Sequence, residues 1–92
     1  MRPVHPGKIL LKDFIKPLGL SQTRLALSIN VPPRRINEIV LGKRRITTDT
    51  AIRLGRYFST APHFWLGLQM DYDICVVRNR LDDTLKIQAP AV

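Results

Sequence analysis

Apolar residues recur along this chain at helical rather than strand spacing. From Pro6 to Lys16, Ile9, Leu10 and Phe14, with Leu11 and Ile15, predict a first helix. Pro17 and Gly19 stop it, because proline lacks the needed N–H and glycine tolerates the turn. Ser21 is the expected N-cap of a short second helix, Gln22 to Ser28, with Leu25, Ala26 and Ile29 inward. Pro32-Pro33 open a third, running to about Leu41 with Ile36, Ile39 and Val40 inward, and Gly42 closes it. A fourth spans roughly 49–58, with Thr48 as its cap and Ala51, Leu54, Gly55 and Phe58 on one side. After Ser59-Thr60-Ala61-Pro62, with Thr60 as cap, a fifth runs from near Pro62 to about Asn79. It carries Phe64, Trp65, Leu68, Tyr72, Cys75 and Val76. No stretch alternates convincingly with the period of two that marks a strand, so the expected fold class is all-α, a five-helix bundle. Residues 1–80 form its single domain, and 81–92 are expected to be a loosely ordered tail.

With 92 residues there is room for one core only. No apolar run is long enough for a bilayer, and the first residues hold no secretory cleavage pattern. The single Cys75 excludes an intrachain disulfide and suits a reducing cytoplasm. Cys75, His5 and His63 do not make a closed zinc site, and nothing in the chain calls for a cofactor. The placement of charge changes the picture most. The net charge is +8, and residues 1–46 carry ten basic against two acidic groups, while 47–92 carry five of each. A basic excess confined to one half marks a surface that meets a polyanion, with nucleic acid ahead of an anionic membrane.

The second and third helices, joined by Ile29-Asn30-Val31, have the form of a helix-turn-helix over about 22–41. Ala26 allows close crossing, Asn30 enters the left-handed conformation a sharp turn needs, and Val31, Ile36 and Ile39 seat the second rod. Steps of about 100° leave Pro33, Arg34, Asn37, Glu38 and Leu41 together on the other face. In such a motif Arg34 suits a guanine edge and Glu38 a cytosine amino group, unless Glu38 instead neutralises Arg34 or Arg35. Gln22, with Thr23 beside it, sits where a helix N-terminus meets a phosphate. Arg35 and the loop Lys43-Arg44-Arg45 suit further phosphates, giving affinity and salt dependence rather than sequence information.

Gln22-Thr23-Arg24-Leu25-Ala26, Val31, Ile36, Ile39 and Gly42-Lys43-Arg44 together resemble the Cro/C1 (XRE) helix-turn-helix family, whose fold is lambda-repressor-like. His5-Pro6-Gly7, Leu18-Gly19-Leu20-Ser21-Gln22, Arg35-Ile36-Asn37-Glu38-Ile39, Thr48-Asp49-Thr50-Ala51 and Phe64-Trp65-Leu66-Gly67-Leu68-Gln69 narrow the resemblance to HigA (VapI) antitoxins. The resemblance spans about residues 5–72. It implies a cytoplasmic homodimer that binds a palindromic operator in double-stranded DNA, represses its own operon and neutralises a HigB-like RNase toxin. Arg24, Pro33 and Leu41 depart from the family pattern, so its operator does not carry over. HigB-type toxins are themselves basic, which directs toxin binding to the charge-neutral half with Asp71, Asp73, Asp82 and Asp83.

Phe64 to Leu68 read first as core, with the outer side of the fifth helix as the dimer seam. A stand-alone repressor without a toxin would share every residue above. No catalytic motif occurs, so an enzyme is not expected; a small basic ribonuclease would have to rest on His5, His63 and a lysine. Cys75 reads as packing, and an RNA adaptor lacks a sheet of stacking aromatics.

Overall fold

The computed structural model describes residues 1–84 and Pro90, with side chains through Asp82. Five helical segments follow one another, and no strand occurs among the described residues. They are α1 (Pro6–Ile9, continued by a π-helical segment Leu10–Ile15), α2 (Gln22–Ser28), α3 (Pro33–Val40), α4 (Thr48–Phe58) and α5 (Pro62–Thr84). From residue 85 onward the expected tail, Pro90 aside, lies outside the described residues, while residues 81–84 are still α5.

The first helix differs from expectation in its second half, where the backbone widens to π geometry. Leu10 and Ile15, five residues apart, are both buried. In an α-helix they would point about 140° apart, whereas i→i+5 bonding brings them toward one side. Lys16 N–H donates to Leu11 O at 2.9 Å in this manner. Burial of both side chains is what the widened turn accommodates.

One core joins all the helices: Leu10, Ile15, Leu25, Ala26, Ile29, Val31, Ile36, Ile39, Ile46, Ala51, Leu54 and Trp65. Trp65 is fully buried, and its ring meets Phe14, Phe58 and Phe64 with centroids 4.8, 6.1 and 5.0 Å away. Phe64, read from sequence as core, keeps 41% of its surface exposed at the edge of this cluster. Two caps also differ from expectation. Thr47, not Thr48, caps α4 through Thr50 N–H. Thr60 stands two residues before α5, and its hydroxyl accepts from Trp65 Nε1 at 2.8 Å.

His5-Pro6-Gly7 has a structural reason. His5 caps α1, its Nδ1 accepting from Gly7 N–H at 2.9 Å, and Pro6 occupies the first turn, where its missing N–H costs nothing. Gly7 is buried against the carbonyl of Ile39, so that no side chain fits there. That contact fastens the start of α1 to the end of α3.

Candidate nucleic-acid interface

The turn between α2 and α3 forms as its residues dictate. Ser21 Oγ accepts from Arg24 N–H at 3.0 Å and starts α2. Asn30 adopts φ 58°, and Val31 N–H returns to Ala26 O at 3.0 Å, closing the turn. Ala26 is fully buried at the crossing, and Ile36 and Ile39 seat α3 with no exposed surface. Gly42, at φ 76°, then ends α3 and sends the chain into the basic loop.

That seating turns Arg34, Asn37 and Leu41 outward, with Pro33 and Glu38 half-buried beside them. The Arg34 side chain is 83% exposed. Asn37 Nδ2 donates to Gln22 Oε1, so the start of α2 and the open face of α3 share one polar surface. Thr23 is exposed next to Gln22. Lys43, Arg44 and Arg45 follow in the exposed loop. Contacts around α3 thus link Gln22 with Asn37, and Arg34 and Arg44 with Glu38, while Arg35 and Arg45 turn to α4 and α5.

The carboxylates among them are already engaged. Glu38 receives Arg44 through Nε and Nη2, at 3.0 and 2.8 Å, and Arg34 at 3.4 Å. Of the two sequence readings for Glu38, the arrangement is the neutralising one, with Arg34 rather than Arg35 as the helix partner. Hydrogen bonding from Arg44 holds its carboxyl below the usual range; desolvation opposes this, and the charges of Arg44 and Arg34 add to it. Arg35 instead pairs with Asp49 of α4 at 2.9 Å, and Arg45 with Asp73 of α5 at 2.8 Å.

Sequence reasoning missed three contributors. Arg53 of α4 donates from Nη1 to Ile29 O at 2.8 Å and from Nε to Asp49 at 3.0 Å, tying α4 to the turn. Asp49, shared by Arg53 and Arg35, has its carboxyl held low first by the hydrogen bond from Arg53. A cleft of about 320 Å³ gathers Arg35, Arg44, Arg45 and Arg53 around Asp49. Gln69 is the third; buried, it accepts Ile46 N–H at 2.7 Å. The only advance signal for these residues was their place in quoted motifs or on the polar side of helices.

His5 does not join His63, which lies exposed in the first turn of α5. Its ring meets Tyr72 edge-on at 4.9 Å and lies beside Gly42. Burial pulls its pKa below 6.5, opposed by the charge of Asp73 and a hydrogen bond to the Arg44 main chain. No cluster of His, Cys, Asp or Glu suited to a metal occurs among the described residues. No described helix is long and apolar enough to cross a membrane.

Residues 11–65 match the helix-turn-helix family. Virulence-associated protein I of Dichelobacter nodosus is 50% identical over 80% of this chain and 68% of its own length. The Pseudomonas aeruginosa antitoxin HigA, solved with the higBA promoter, superposes with a TM-score of 0.90 at 35% identity, covering 99% of each chain. The chain belongs to the HigA branch of the helix-turn-helix family. A second structure, antitoxin GraA in complex with its operator, has a TM-score of 0.89 at 33% identity, covering all of this chain and 95% of that one. The resemblance read from the residues thus holds over nearly the whole chain, and the five-helix, all-α fold is that of the HigA antitoxins. Both of these solved relatives are antitoxins bound to promoter or operator DNA.

Proposed function

We propose that this HigA-type chain is a cytoplasmic, dimeric DNA-binding antitoxin that represses its own operon and neutralises a HigB-like RNase toxin. The observation that carries the DNA reading is the open face of α3, with Arg34 standing free of the core at its centre. Arg34 reads a guanine edge in the major groove. Gln22, Thr23, Arg35, Lys43, Arg44 and Arg45 contact phosphates, and Pro33, Asn37 and Leu41 shape the fit to the base edges. Glu38 sets the directions of Arg34 and Arg44. The protein relatives solved with promoter or operator DNA support this reading.

Dimerisation uses the outer side of α5. Met70, Ile74 and Val77 recur there at i, i+4 and i+7 with 61, 45 and 48% of their surface exposed. A two-fold axis at that stripe presents two reading helices about 34 Å apart, one turn of a palindromic operator. The toxin, being basic, meets exposed carboxylates of the C-terminal half, Asp71 and Asp82 among them.

Titration of the purified chain with duplex from its own upstream region, at two salt concentrations, tests the DNA reading. Saturation at two chains per palindrome, with affinity falling steeply as salt rises, is the expected result. Indifference to every duplex would overturn it. Co-expression with the product of the adjacent reading frame tests the antitoxin reading; a neighbour that neither co-purifies nor is toxic alone leaves only the repressor.

A further inference from the structure

The loop that follows α3 is held from two sides: Arg44 is bonded to Glu38 of α3, and the residues after it are bonded to α5. Ile46 N–H donates to Gln69 Oε1 at 2.7 Å, Gln69 Nε2 donates to Asp73 Oδ1 at 2.9 Å, and Arg45 Nη2 donates to Asp73 Oδ2 at 2.8 Å. These bonds form one closed circuit between residues 45–46 and two successive turns of α5. Gln69 is 3% exposed and both ends of its amide are used, so the circuit has an anchored centre. Tyr72, one residue before Asp73, carries the ring of His5, which lies against Gly42 at the other end of the same loop. The far end of the basic loop therefore rests on α5 directly, and its start lies beside a ring that packs on α5.

We infer that Gln69 and Asp73 are positioning residues for DNA binding, acting through Arg45 and the loop backbone rather than touching DNA. The inference rests on the DNA-binding reading above. Arginine carries five N–H donors in a rigid fork, and Asp73 takes one of them. That bond restricts the directions in which the other donors of Arg45 can point. Asp73 costs the surface one unit of positive charge and supplies orientation in exchange. The stripe of Met70 and Ile74 lies on the adjoining side of the same two turns of α5, about 100° around the helix. One stretch of helix thus serves both the dimer seam and the DNA-facing loop.

Asp73→Asn removes the charge while keeping the size, and Asp73→Glu restores the charge. Titrations of the full chain use two duplexes, one from its own upstream region and one of unrelated sequence. Hydrogen exchange at the Ile46 amide is measured without DNA. The expected result for Asp73→Asn is weaker binding to the upstream duplex by about fivefold, with the unrelated duplex bound as well or better. Exchange at Ile46 should accelerate, and Asp73→Glu should recover most of both. A rise in affinity for both duplexes together would reduce Asp73 to a screening charge and overturn the inference. A parallel loss for both, with a lowered Tm, would reduce it to a fold contact and also overturn it. Gln69→Glu, which still accepts from Ile46 but faces Asp73 with a like charge, must act in the same direction as Asp73→Asn. If the unaltered protein does not distinguish the duplexes, the DNA reading itself has failed. Ile46 exchange still decides the relay in that case: acceleration supports it, and an unchanged rate refutes it.

Discussion

Arg44 closes on Glu38 with two hydrogen bonds, Nε at 3.0 Å and Nη2 at 2.8 Å from the same Oε1. A residue of the basic loop is thereby fastened to the reading helix in the free protein. The other carboxylate oxygen of Glu38 takes Arg34 at 3.4 Å, a weaker contact that leaves Arg34 mostly in solvent. In the free protein both carboxylate oxygens of Glu38 are engaged by arginines.

Glu38→Gln should accordingly raise affinity for all duplexes at low salt, since one negative charge leaves a surface that meets phosphates. Preference among sequences should blur, because Arg34 and Arg44 lose their common restraint. Competition binding against a panel of single-base operator variants measures both. A selective loss at one cytosine, with every other position unaffected, would mean that Glu38 reads that base directly.

Lys43→Ala should weaken binding to every duplex alike and reduce the slope of log affinity against log salt by about one. The comparison needs only two duplexes at four or five salt concentrations. A change in sequence preference would show that Lys43 reaches a base edge.

Gly7→Ala should destabilise the fold by about 3 kcal/mol, because the added methyl is driven against the Ile39 carbonyl and the end of α3 must move. Chemical denaturation checks the size of the loss. Native stability in that variant would mean that α1 shifts away freely and that its contact with α3 is incidental.

The pH dependence of stability follows from His5. Its folded-state pKa is lowered by burial, so the folded protein binds the proton less readily than the unfolded chain. This contribution is fully present above the unfolded value of about 6.5 and is lost as pH falls below it. Protonation also removes the Nδ1 acceptor that caps Gly7. Glu38, Asp49 and Asp73, with lowered carboxyl pKa values, add a separate loss only at distinctly more acid pH, below about 4. Thermal midpoints should fall between pH 6.5 and 5, and His5→Asn, which can still cap Gly7, should flatten that interval. An unchanged slope in His5→Asn would assign the titration elsewhere.

The elements were legible because their signals are local. Ser21, Asn30, Pro33 and Gly42 each have one strong conformational preference, and α2 and α3 form where those residues place them. The face of α3 followed from arithmetic once Ile36 and Ile39 were assigned to the core. What escaped depends on partners distant in the chain. Arg53 reaches the carbonyl of Ile29, and Gln69 the amide of Ile46, across 24 and 23 positions. No periodicity marks such pairs. The π-helical widening at Leu10–Ile15 was hidden for a related reason, since only the packed core decides that both side chains turn inward. Thr47 and Thr48 are chemically alike as caps, and no local preference separates them. The extension of α5 beyond Asn79 likewise carries no strong stop signal before Thr84.

The role of Arg34 in reading sequence is tested most directly by measuring Arg34→Ala and the unaltered protein against the upstream duplex and a set bearing every single-base change within one half-site. The prediction is loss of discrimination at one guanine, worth about 1–3 kcal/mol, with the other positions retaining their preferences and the fold its stability. An unchanged preference at every position, with only a uniform drop in affinity, would contradict it.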